Sequence, residues 1–153
     1  MLSMKAKYGL KALIRLARDY GRGPWLIAEL AAEESIPKKF LELILLELKQ
    51  QGVLQSKKGK GGGYLLAQRP EEIKVGTVLR ILEGTLAPVP CVGAGGYRPC
   101  DECRTPSSCS IRRLMGEVYD ATTAILDSTT LDQLARQDQA ELRAHPRLQR
   151  YHI

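Results

Sequence analysis

Apolar side chains recur along this chain at three- and four-residue intervals, and glycine and proline interrupt the pattern at intervals. Leu10, Leu13, Ile14 and Ala17 share one helical face, with Lys7, Lys11, Arg15 and Arg18 on the others. That spacing predicts an amphipathic helix over residues 5 to about 20, ended by Gly21-Arg22-Gly23-Pro24. Ile27, Leu30 and Ala31 predict a second, shorter helix over 26–34. Ser35-Ile36-Pro37 then punctuates the chain. Ser35 or Ile36 is expected at the cap and Pro37 at the first helical position, where its missing N–H costs nothing. A third helix follows to about residue 51, with Phe40, Leu41, Ile44, Leu45 and Leu48 as its apolar face and Gly52 as its stop. The pattern then shortens to two strands, 53–56 and 64–66, around the turn Lys57-Lys58-Gly59-Lys60-Gly61-Gly62-Gly63. Val78, Leu79 and Leu82 predict a helix over 75–83 that Gly84 closes. Ile111, Leu114, Met115, Val118, Tyr119, Ala121, Ile125 and Leu126 form the broadest stripe, on a helix from 110 to about 127. Thr130-x-x-Gln133 reads as a capping box for a last short helix over 131–137, and the chain from 138 on is polar and expected to fray.

These elements predict a mainly α fold with a small β-hairpin wing. Two short helices joined by a tight turn, the second opening with cations, form a helix-turn-helix, and the hairpin makes it winged. The expected organisation is a winged helix-turn-helix DNA-binding domain over 1–84, a cysteine-rich sensor loop over 85–109, a dimerisation helix and cap over 110–137, and a polar tail over 138–153. The long helix spans close to 30 Å at about 1.5 Å per residue. Its stripe needs a partner, and a second copy is the economical one, since two-fold pairing matches palindromic DNA. Packing onto the first helix is the alternative.

Charge supports that picture. The net charge is +6, but residues 1–70 carry 13 Lys and Arg against 6 Asp and Glu, and the rest of the chain is close to neutral. A basic N-terminal half points to a polyanionic partner, most often nucleic acid, a solvated basic surface being the alternative. The glycines of the wing permit close approach to a phosphate backbone, and its lysines supply charge there. Gly59-x-Gly61-x-Gly63 matches neither dinucleotide-binding nor P-loop spacing, and no long helix opens after it. No run of about 18 apolar residues predicts a membrane span, and the N-terminus lacks a secretory pattern, so the expected location is the cytoplasm.

All four cysteines lie between Cys91 and Cys109, together with Cys100 and Cys103, in a stretch with three glycines, two prolines and few apolar side chains. Such a segment cannot build a core. In a reducing cytosol, clustered cysteines favour a metal, an iron–sulfur cluster or a redox couple over structural disulfides. No catalytic constellation accompanies them: the two histidines, His145 and His152, lie in the polar tail, and the chain is not expected to be an enzyme.

The opening Met4-Lys5-Ala6-Lys7-Tyr8-Gly9-Leu10, the run from Ile36-Pro37-x-x-Phe40-Leu41-Glu42 to Gly52-Val53-Leu54, and above all Gly59-x-Gly61-Gly62-Gly63-Tyr64 resemble the IscR/NsrR/CymR family of bacterial winged helix-turn-helix regulators. The resemblance covers about residues 1–137. It implies a homodimeric transcription factor on operator DNA, with an iron–sulfur cluster near the dimer helix in the cluster-binding members. Carried over by position, Lys38, Lys39, Phe40 and Glu42 lie at the DNA-facing start of the recognition helix, and Lys58 enters the minor groove from the wing with Lys60 beside it. Glu42 can accept from a cytosine amino group. The four lysines meet phosphate and carry little sequence information. Phe40 reads equally as core.

The cysteines match that family in part. Cys103-x5-Cys109 keeps the spacing of its cluster ligands, Cys91 stands where the first belongs, and Cys100 is extra. The two usual fourth-ligand positions hold Arg112 and Tyr8, so Cys100 is the candidate replacement. The implied cofactor is a 2Fe–2S or 4Fe–4S cluster held by Cys91, Cys100, Cys103 and Cys109; zinc or no metal are the alternatives. Cys100-x-x-Cys103 is also a candidate dithiol–disulfide switch. The function so implied is a regulator sensing iron–sulfur, redox or sulfur status. A metal-free regulator or interaction module controlled by a partner enzyme or small ligand, and a small iron–sulfur electron carrier, are the rivals.

Overall fold

The computed structural model describes residues 2–145. Helix α1, Met4–Arg18, opens on Ser3, whose hydroxyl accepts from the Ala6 N–H at 3.1 Å. The Ser3 N–H donates to Glu83 at 2.7 Å, which ties the start of the chain to the end of a later helix. Helix α2, Ile27–Glu34, ends at Ser35 in the left-handed conformation (φ 54°). Helix α3 runs Lys38–Gln50. Pro37 therefore sits one position earlier than expected, at the cap itself, and Ser35 closes α2 rather than opening α3. The Ile36 N–H bonds back to the Ala31 carbonyl, so Ile36 is buried and cannot serve as a polar cap.

Strands β1, Leu54–Lys57, and β2, Gly63–Leu66, pair antiparallel in the register Leu54 to Leu66 and Lys57 to Gly63. Trp25 adds a bridge beyond them: it exchanges both backbone hydrogen bonds with Tyr64, each 2.8 Å. Helix α4, Val75–Glu83, α5, Ser110–Ser128, and α6, Leu131–Ala144, complete the described chain. The capping box Thr130/Gln133 opens α6 as the sequence predicts, but α6 continues through Ala144, past the expected end at 137. His145 is its C-cap, and residues 146–153 of the tail, with His152, lie outside the described residues.

The core holds Leu13, Leu30, Leu41, Ile44, Leu45, Leu48, Val78 and Leu131, all essentially without solvent contact. Leucine predominates there, as the scarcity of aromatics requires. Gly9 lets α1 approach α4, since a Cβ there would stand 2.4 Å from Leu82 Cδ1. Helix α6 returns to pack along α1 through Leu131 and Ala135, taking the place where α5 would lie in the intrachain alternative. Helix α5 rests instead against α4 and buries no residue fully. The fold is a winged helix-turn-helix unit with two added helices.

Candidate nucleic-acid interface and cysteine segment

The α2–α3 pair presents the start of α3 to solvent because Leu41, Ile44, Leu45 and Leu48 turn its other face into the core. Lys38 and Lys39 are exposed there. Glu42 lies 4.0 Å from Lys38, a loose pairing one turn apart that leaves its carboxylate free to accept elsewhere. Phe40 meets Tyr8 edge-on, ring centroids 5.7 Å apart, and keeps about a third of its surface (36 %) exposed, so it is both rim of the core and surface. In the wing, Lys57, Lys58 and Lys60 are exposed at the tip. Among the described residues, Lys39, Lys58 and Lys60 have no carboxylate within salt-bridge distance. Two other cations of this half are occupied: Lys5 pairs with Glu47 at 2.6 Å, and Arg15 pairs with Glu34 at 2.6 Å while lying over the Trp25 ring. The start of α3 and the wing tip thus carry exposed positive charge that can meet phosphates.

The wing is held from below by Gly63. Its φ is +143°, and a Cβ there would lie 2.2 Å from the Trp25 carbonyl oxygen. Trp25, absent from the sequence reasoning, therefore seats the hairpin, and only its place just after Gly23-Pro24 could have hinted at it.

The cysteine segment lies along the first turns of α5. Cys109 is the N-cap of α5, and its sulfur accepts from the Arg112 N–H at 3.4 Å. Arg112 donates through Nε to the Cys91 carbonyl at 3.3 Å and stacks over the Tyr97 ring at 5.3 Å. The Tyr97 hydroxyl is 3.5 Å from the Cys103 sulfur, and that contact pushes the phenol up to about 12. Loss of surrounding water, then Cys103, raises the Cys100 thiol. Cys91, Tyr97, Cys109, Arg112 and Arg113 line one open groove of about 650 Å³. Four thiols have the chemistry for a cluster or zinc. Their placement does not fit a preformed site: among the described residues no three His, Cys, Asp or Glu side chains converge as metal ligands, and the Arg112 guanidinium braces the loop between Cys91 and Tyr97.

Helix α5 is tied to α4 at its far end. Arg80 grips Asp127 with two bonds of 2.6 and 2.9 Å, which holds the Asp127 carboxyl below its usual range. Gly76 leaves room for that carboxylate, since a Cβ would stand 1.9 Å from it. The Val75 N–H to Thr129 and the Leu131 N–H to Ile73 add backbone bonds at the same end of α5. Neither the Arg80–Asp127 pair nor Gly76 was visible as a linked unit in the sequence, because 47 positions separate the two charges.

Comparison with known proteins agrees with this architecture. The model of the Rrf2 family, described as iron-dependent transcriptional regulator, matches residues 2–137. An rrf2-like HTH-type transcriptional regulator of Rhodobacter capsulatus is 38 % identical over 137 residues, covering 88 % of this chain and 91 % of that one. The structure of CymR, the global cysteine regulator of B. subtilis, superposes with a TM-score of 0.75 at 32 % identity, covering 90 % of this chain and 97 % of CymR. IscR of T. potens superposes with a TM-score of 0.72 at 29 % identity, covering 92 % and 90 %. Among the described residues no helix is long and apolar enough to cross a membrane.

Proposed function

The chain belongs to the Rrf2 family of transcriptional regulators, and from that premise we propose that it binds operator DNA as a homodimer under the control of its cysteine segment. The observation that carries the reading is the two groups of exposed lysines, at the start of α3 and on the wing, set on a helix-turn-helix. Lys38, Lys39, Lys58 and Lys60 bind phosphates and position the protein, and Glu42 accepts from a base amino group in the major groove. Phe40 keeps the start of α3 in place through Tyr8.

Dimerisation follows from α5. Its 19 residues span about 28 Å, and Ile111, Leu114, Val118 and Ile125 all face solvent in the isolated chain. A stripe of that size on one helix marks an interaction surface. A second copy covers it with its own stripe, and the resulting two-fold presents two α3 helices to two half-sites.

Cys91, Cys100, Cys103 and Cys109 form the sensing element, responding to iron–sulfur, redox or sulfur status. A cluster or zinc requires this loop to rearrange, because no three of its ligating side chains converge while Arg112 braces the loop. That rearrangement moves the N-terminal end of α5, whose other end is clamped to α4 through Arg80 and Asp127. The input is thereby coupled to the spacing of the recognition helices. A metal-free regulator governed by a partner enzyme or a small ligand is the second reading, favoured by the groove between Cys91, Cys109 and Arg112. Anaerobic purification with metal analysis and an absorption spectrum separates the two. Operator affinity is then compared for the loaded, empty and oxidised protein. Equal affinity in every state of the cysteines overturns cysteine-based sensing.

A further inference from the structure

Helix α3 carries two apolar side chains on its outer face. Around the helix, Leu41, Ile44, Leu45 and Leu48 form the buried side, each at 1 % exposure or less. At 100° per residue, Lys39, Leu43, Leu46 and Gln50 fall on the opposite ridge. Leu43 is 65 % exposed and Leu46 45 %, so the fold uses neither for its core. A single exposed leucine needs no explanation. Two of them, one turn apart on the outer ridge of a helix that opens with the exposed Lys38 and Lys39, point to a partner that is anionic outside and locally apolar within.

Duplex DNA has that combination. Its major groove, about 12 Å wide, admits one α-helix, and the apolar group it displays there is the thymine C5-methyl. Leu43 lies in the second turn of α3, next to Glu42, and recognition helices contact base edges with their N-terminal residues. We propose that Leu43 is a specificity-determining residue that packs against a thymine methyl in the operator, with Leu46 closing the contact from one turn behind. Glu42 and Leu43 then read neighbouring base pairs by different chemistry, a hydrogen bond to cytosine and an apolar contact to thymine. This rests on the DNA-binding reading above and assigns part of its sequence choice to a side chain that forms no hydrogen bond.

The test uses the full chain. The protein selects duplexes from a randomised pool, and the selected duplex is remade with each thymine replaced in turn by uracil, which removes only the methyl. Affinities are measured by fluorescence anisotropy at one fixed salt concentration. At one thymine per half-site the wild type is expected to lose about fourfold in affinity, the worth of one buried methyl group. Leu43→Ala should bind the thymine and uracil duplexes within twofold of one another, and its own selected sequences should no longer hold thymine there. Leu43 is outside the core, so circular dichroism and melting should match the wild type. A wild type that selects a site but is indifferent to every methyl overturns the contact alone. So does a Leu43→Ala protein that keeps the wild-type discrimination. A wild type that selects no sequence at all overturns the operator-binding reading and the contact with it.

Discussion

Gly63→Ala should unseat the wing, and the structure supplies the size of the effect. The added Cβ would stand 2.2 Å from the Trp25 carbonyl oxygen, a backbone atom that cannot swing aside as a side chain can. Relieving the clash separates β2 from Trp25 and breaks the two 2.8 Å hydrogen bonds between Trp25 and Tyr64. Each is worth about 0.5–1.5 kcal/mol net. Alanine at a φ of +143° costs about 1–3 kcal/mol more. The combined loss of about 2–6 kcal/mol is a large share of the roughly 5–15 kcal/mol that holds a domain folded. At about 2–4 °C per kcal/mol for a chain of this size, the melting temperature should fall by at least about 4 °C. Trp25 is the sole tryptophan, so its fluorescence reports directly on the seat of the hairpin. Its emission should move to longer wavelength, and acrylamide should quench it more strongly. Gly61→Asn is the control: its φ is +74°, nothing lies within 4 Å of its would-be Cβ, and asparagine tolerates that backbone, so it should behave as wild type. If Gly63→Ala melts within about 1 °C of wild type with the same emission maximum, the account of how the wing is seated is wrong.

Acid should weaken the ties at both ends of the molecule. Asp127 is held low by Arg80, and Glu83 by the Ser3 N–H, so each adds stability that is complete above its ordinary value, 3.8 and 4.5 respectively, and is lost as pH falls through the lowered folded value. Asp127→Asn should flatten that acid limb of a stability-against-pH curve, and an unchanged limb would remove the Arg80 pair from the account. Leu114→Glu combined with Ile125→Glu should convert a dimer to monomers in sedimentation without unfolding the chain, since both side chains are exposed in the single subunit; a persistent dimer would place the interface elsewhere. Lys58→Ala should weaken DNA binding about equally for all sequences and reduce the slope of log affinity against log salt by about one. A slope identical to wild type would take Lys58 off the phosphate backbone. Glu42→Ala should instead relax sequence choice more than it weakens non-specific binding, as competition between selected and random duplexes would show.

Much of this molecule is legible in one dimension because its signals are local. The stripe of Leu10, Leu13 and Ile14, the run of Leu41, Ile44, Leu45 and Leu48, and the Thr130/Gln133 box each act within a turn or two, and all three helices formed. A proline before a helix is compatible with either the cap or the first position, and here Pro37 has a non-helical ψ of 123° while its carbonyl accepts from the Leu41 N–H, which makes it the cap. The last helix ran past its expected end to Ala144, although its buried residues, Leu131 and Ala135, lie in its first two turns.

The sequence alone determined that a basic helix-turn-helix with a lysine-tipped wing is followed by four clustered cysteines and a helix with an apolar stripe. Composition, spacing and period suffice for that, since each is a property of neighbours along the chain. Only the tertiary structure decided which of those features are free to act. Arg15 and Lys5 proved to be paired, whereas among the described residues Lys39, Lys58 and Lys60 have no carboxylate partner. Leu43 and Leu46 were turned outward, and the stripe of α5 was left bare because α6, not α5, lies on α1. The cysteine loop was tied to α5 by an arginine that reaches to the Cys91 carbonyl. These outcomes depend on contacts between residues far apart in the chain, which compete for the same buried surface and the same charges.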